Sequence, residues 1–149
     1  MGRYIKFRGI AASGVMVYGD LITQGYYAEP KFGLIGCGIQ LKSGYTERIP
    51  DCNTVGQFTG LTDKNGKEIF EGDICNVFIS TGAISEKISG SMFGIVKYGN
   101  GFTIEPFKYT GELTRRFGKN TIYGYLKHSI NDKENIEVIG NIHENPELV

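Results

Sequence analysis

The chain has no Trp, only four Pro, two His and three Cys, and Lys plus Arg balance Asp plus Glu at 16 each. Each scarcity excludes something. Zero formal net charge removes the global attraction to polyanions that a strongly basic chain has. His128 and His143 form no H-x-x-x-H and are joined by no paired Cys, so no zinc motif is present and no metal or cofactor is expected. Cys37, Cys52 and Cys75 are odd in number and fit neither a disulfide framework nor a C-x-x-C motif. Reduced, packed thiols in a cytoplasm are the expectation. No apolar run is long enough to span a membrane, and Met1 to Lys6 has no signal-peptide core, so no membrane association is expected.

What is abundant favours strands. Eighteen Ile, ten Thr, nine Phe, nine Tyr and seven Val stand against four Ala, seven Leu, three Met and three Gln, a β-rich composition. Gly occupies 22 of 149 positions, about twice the usual share, as turns and bulges would require. At 149 residues one domain is expected, able to bury a core without covalent staples. The fold expected is mainly β, a Gly-rich barrel or sandwich of hairpins with at most short helices.

Along the chain, Ile5-Lys6-Phe7-Arg8 alternates as a first strand. Val15 to Tyr18 and Leu21-Ile22 read as a hairpin about a Gly19-Asp20 turn. Gly33-Leu34-Ile35-Gly36-Cys37-Gly38 has its glycines in the wrong order for a dinucleotide loop and reads as an interrupted strand. Asn65-Gly66 marks a tight reversal, and Glu71-Gly72-Asp73 a second turn that launches the apolar, central strand Ile74 to Ile79. Ser80 to Ser91 reads as a mobile loop with no nucleophile elbow. Gly94 to Tyr98 and Phe102 to Glu105 form a hairpin about Asn100-Gly101, and Asn145-Pro146 opens one short helical turn.

These residues carry a resemblance. Arg3 with Ile5 to Arg8, the block Thr54 to Val77, the Gly94 to Glu105 hairpin and the ending Ile136 to Leu148 resemble the YopX family of phage and prophage proteins. Residues 54–149 carry most of the match, as a β core, and residues 1–53 form a less closely matched N-terminal β region. The family's Lys-Phe-Arg-Ala-Trp-Asp start is replaced after Arg8 by Gly9-Ile10. The resemblance implies a complex β-barrel-containing fold encoded by a phage or prophage and working in the bacterial cytoplasm. It implies no established activity, and no functional residue is carried over from it.

Two constellations remain. Asp63, Glu68, Glu71 and Asp73 cluster in sequence without an EF-hand register and read as charged turn residues in solvent. From Pro106 to His128 the net charge is +4, while Asn131 to Val149 carries −4. In the basic stretch Lys108, Tyr109, Arg115, Arg116, Phe117, Lys119, Tyr125 and Lys127 alternate cations with rings, as single-strand nucleic-acid binders do. The first expectation is a non-enzymatic protein that associates with itself. The alternative is nucleic-acid binding through residues 107–127, or a phage or host protein as partner.

Overall fold

The computed structural model describes residues 5–23, 37–83, 86–116 and 135–149. Ten strands dominate: β1 (Phe7–Ile10), β2 (Met16–Ile22), β3 (Cys37–Gln40), β4 (Thr46–Ile49), β5 (Gly56–Thr62), β6 (Glu68–Phe70), β7 (Asp73–Ala83), β8 (Glu86–Tyr98), β9 (Phe102–Tyr109) and β10 (Ile136–Asn141). A single-turn helix, α1 (Leu113–Arg116), and 3-10 turns at Cys52–Thr54 and Pro146–Leu148 complete them. The strands form two antiparallel sheets, ordered β4-β3-β2-β1-β5-β6 and β10-β7-β8-β9. The mainly β expectation holds; no closed barrel is found among the described residues. The chain divides into two compact units, residues 1–60 and 61–149.

One turn chemistry is used three times. At residues 11–15, 41–45 and 63–67 the first residue's N–H bonds the fifth's carbonyl, and the Gly in fourth place bonds the first's. Gly14, Gly44 and Gly66 each have φ near +80° (80°, 84° and 82°), the left-handed step that turns a three-residue loop into a bulged hairpin. The reversal foreseen at Asn65-Gly66 is the third of these. The first corrects the reading of Gly19-Asp20 as a turn, because β2 runs straight through both residues. Gly19 is there because a Cβ would run into the Gln40 carbonyl oxygen on the neighbouring strand.

In the first unit Cys37, Ile39 and Ile49 are buried, with Phe7, Val17, Leu21, Leu41 and Val55 packed against them. That core is small, and it has a covalent supplement. Cys37 is bonded to Cys52 with a Cα–Cα separation of 5.9 Å, which corrects the expectation of three reduced thiols. The reason is topological: Cys37 pairs with Ile49 across the β3–β4 hairpin, and the turn after Ile49 brings Cys52 back alongside. Closing a loop of this length stabilises by about 3 kcal/mol in chain-entropy terms. Cys75, wholly buried, is outside any disulfide.

The second unit has the larger core, built from Ile69, Cys75, Val77, Met92, Val96, Ile104, Ile136 and Val138. Each such burial contributes roughly 1.5–3 kcal/mol against exposure. β7 is an interior strand, as its near-continuous apolar run suggested. Residues 80–83 and 86–91, read above as part of a mobile loop, are paired strands from Ser80↔Ser89 to Ala83↔Glu86. Gly90 there reflects close packing rather than irregularity: a Cβ on it would meet the Thr110 carbonyl and the Leu113 side chain.

Gly14 and Gly19 separate the two roles of glycine. We expect Gly14→Ala, strained only in φ, to cost about 1 kcal/mol. Gly19→Ala, which drives a methyl into a neighbouring backbone, should cost about 2–3 kcal/mol or more. Urea denaturation of both variants checks the order.

Candidate functional site

The carboxylate cluster resolves first. Asp63 and Asp73 are 4% and 1% exposed, contrary to the expectation of solvated turn charges. Asp63 heads the third bulged turn, and its Oδ1 accepts the N–H groups of Asn65 (2.8 Å) and Lys67 (2.9 Å). Its Oδ2 accepts the N–H of Val138 at 3.0 Å, 75 residues away in sequence. The Lys64 N–H donates to the Ile136 carbonyl at 2.9 Å, and the Lys64 Nζ meets Glu137 Oε2 at 2.6 Å. The turn thereby occupies the side of β10 away from β7. Burial disfavours the Asp63 anion, but N–H donation from Val138, Lys67 and Asn65, helped by the Lys67 charge, outweighs it and holds the pKa below its ordinary value. Asp73 Oδ2 likewise accepts the Phe70 N–H at 2.7 Å. These carboxylate oxygens accept backbone N–H groups, and the described residues contain no group of three or more His, Cys, Asp or Glu placed to bind a metal.

The C-terminal motif is built the same way. Asn141 Oδ1 accepts the His143 and Glu144 N–H groups at 3.0 and 2.9 Å, and its amide donates to Glu144. The Ile142 N–H reaches the Gly72 carbonyl at 3.0 Å, and the Gly72 N–H the Val96 carbonyl at 2.8 Å. A Cβ on Gly140 would collide with Asn145 Oδ1 at 2.6 Å. Asn145 precedes Pro146 at the start of a 3-10 turn, the short ending that the Asn-Pro pair suggested.

The basic and aromatic residues divide. Lys108 lies opposite Phe93, and Phe93 opposite Asn76, which lies opposite Glu137. The four form one row across the face of the second sheet that points away from its core. The Lys108 Nζ sits 5.7 Å from the Phe93 ring centroid, a cation–π distance. Among the described residues no carboxylate pairs with Lys108. Tyr109, one position on, faces the other way and packs against the core, so it is no stacking surface; alternation along a strand puts neighbours on opposite faces. Arg115 and Arg116 fall in α1. Phe117, Lys119, Tyr125 and Lys127 lie outside the described residues.

Phe78 is the residue that sequence reading passed over. On this far face of β7, exposure rises from Ile74 (0%) through Asn76, half-buried, to Phe78 (49%). Phe78 pairs with Ser91, next to Phe93 on the same face. The signal available was its period-two relation to Ile74 and Asn76, which the continuous apolar run concealed.

For Asp63 the expected outcome is specific. Asp63→Asn should cost about 2 kcal/mol at neutral pH, because an amide nitrogen would face one of the backbone N–H donors. A depressed carboxylate pKa contributes stability that is present above the unfolded value of about 3.9 and lost as pH falls through the folded one. Wild type should therefore lose more stability than Asp63→Asn between about pH 5 and pH 3, measured by denaturant titration.

No curated protein matches the chain. Among solved structures it is similar to the crystal structure of protein EF1440 from Enterococcus faecalis, with 24% identity, 99% of each chain covered and a TM-score of 0.44. The family model described as YopX protein matches residues 6–149, and the chain belongs to the YopX family.

Proposed function

We propose that the chain is a non-catalytic interaction protein of a bacteriophage or integrated prophage, acting in the host cytoplasm, and that it pairs with a second copy of itself. The surface is the far face of the β10-β7-β8-β9 sheet. The observation that carries this reading is the row Glu137–Asn76–Phe93–Lys108, with Glu137, already paired with Lys64, at the β10 margin and exposed Lys108 at the β9 margin. Exposed Phe78 lies beside it. A two-fold axis across such a row sets each Lys108 over the partner copy's Glu137, a carboxylate it would share with Lys64, the self-complementarity an isologous interface needs. An exposed ring flanked by polar Ser91 and Asn76 supplies an apolar centre with a polar rim.

The edges of the sheet support a face rather than an edge as the contact. β10 is covered by Asp63 and Lys64, and β9 carries Pro106, exposed Lys108 and a bulge beside Phe93 and Gly94. Each feature discourages strand addition. With both oxygens engaged by backbone N–H groups, Asp63 is a poor candidate for acid–base work.

Nucleic-acid binding is the second reading, favoured by the Lys108 ammonium over the partly buried Phe93 ring beside the exposed Phe78 ring. Glu105, in ion pair with Lys97 on the same face, and Glu137 weigh against a polyanion there.

Light scattering over about a hundredfold concentration range should show mass rising from 16.5 kDa to twice that value. Phe78→Ser and Lys108→Glu should each weaken dimerisation at least about tenfold, as truncating a hot spot does. A monomer at every concentration overturns the self-association reading. Salt-sensitive binding of a single-stranded oligonucleotide that Lys108→Glu abolishes would put the second reading in its place.

A further inference from the structure

We propose that the Cys37–Cys52 bond is a thiol-exchangeable clip, closed by oxidation and opened by reduction, that sets the order of the β3–β4 hairpin. The two sulfurs are unequally placed. Cys37 is 5% exposed among Ile39 and Ile49, whereas Cys52 lies in an exposed 3-10 turn. A thiolate must approach a disulfide sulfur directly, so attack falls on Cys52. The incoming sulfur bonds Cys52 Sγ, the S–S bond breaks, and Cys37 leaves with the electron pair and takes up a proton. The Ile49 carbonyl oxygen, 3.8 Å from Cys37 Sγ, is in place to accept a hydrogen bond from that new thiol. A second small thiolate then attacks the sulfur of the first, the mixed S–S bond breaks, and Cys52 leaves with the electron pair and takes up a proton. Overall two thiols are oxidised to one disulfide and the protein bond is reduced to two thiols, a two-electron exchange that a glutathione pool supplies.

The clip holds something that is otherwise lightly held. β4 is a four-residue strand at the end of its sheet, paired among the described residues only with β3, and the buried core beneath it is Cys37, Ile39 and Ile49. Opening the bond frees one end of the hairpin while the bulged turn at 41–45 keeps the other. The 3-10 turn retains its own anchor, since Thr54 Oγ1 accepts the Ile10 N–H at 3.2 Å and donates to the Asp51 carbonyl at 2.8 Å. Opening is therefore local and reversible rather than a collapse of the unit.

The test uses the full wild-type chain equilibrated in glutathione buffers of graded redox poise, followed by alkylation with mass spectrometry and by amide hydrogen exchange. In oxidising buffer the expected result is one alkylatable thiol after unfolding, at Cys75. At intermediate poise glutathione should be trapped on Cys52 and not on Cys37. Reduction should speed amide exchange of residues 46–49 at least about tenfold while leaving residues 74–77 unchanged. Three alkylatable thiols under oxidising conditions, glutathione on Cys37, or exchange of residues 46–49 unaffected by reduction would each overturn the proposal. Cys37→Ser, which should still accept glutathione at Cys52, checks sulfur accessibility without requiring the bond.

Discussion

The second unit depends on one carboxylate. Asp63 is short enough to fold back onto its own turn and has two oxygens to divide between tasks. One satisfies the Asn65 and Lys67 N–H groups inside the turn, and the other reaches Val138 on β10. A buried N–H without a partner costs on the order of 1–3 kcal/mol, so an apolar residue at position 63 would leave the buried Val138 N–H unpaired and the part-buried Asn65 and Lys67 N–H groups to water. The same carboxylate thus shapes the β5–β6 turn and fixes where β10 docks. The two stretches that most specifically resembled the family, residues 54–77 and 136–148, meet at this point. The hydrogen bonds of Asp63 with Val138 and of Lys64 with Ile136 are what join them.

That docking decides what surface remains. A strand edge with open N–H and carbonyl groups is a template for another strand. Here the Val138 N–H and the Ile136 carbonyl, which point the same way because they are two residues apart, are both taken by the 63–64 turn. At the opposite end of the sheet Pro106 has no N–H to give. With both ends blunted, the self-association proposed above falls to the face, where side chains rather than backbone would determine the partner. The row from Glu137 to Lys108 then acquires meaning as a row, a property of register that linear sequence does not display.

Much of this was legible in the sequence where chemistry is local. Asn65-Gly66, Gly72, Asn100-Gly101 and Asn145-Pro146 all mark the turns they suggested, because a positive φ or a proline constraint acts within a few residues. Pairings between distant segments were not legible. Nothing near Cys37 announces Cys52 until the Cys37↔Ile49 register is known, and nothing near Asp63 announces Val138. Gly19 misled for a related reason: a glycine that admits a neighbouring backbone looks, in one dimension, the same as a glycine that turns. The small residues of 80–91 were misread likewise, since serine and glycine in a long hairpin mimic a loop when the partner strand is unknown. The basic-aromatic stretch separated because pleating sends Lys108 and Tyr109 to opposite faces.

The two units solve the same problem by different means. Each must hold a short strand at the end of a sheet, β4 in one and β10 in the other. The second has eight buried core residues and can fix β10 with polar contacts, since the surrounding apolar burial already secures β7 and β8. The core cluster of the first has three among the described residues, and a covalent link supplements them. A hydrogen-bonded carboxylate responds to pH only in the acid range, whereas a disulfide responds to thiols under ordinary conditions. Constancy therefore resides in the unit that carries the candidate contact face, and responsiveness in the unit whose small core leaves it dependent on a bond that can be exchanged.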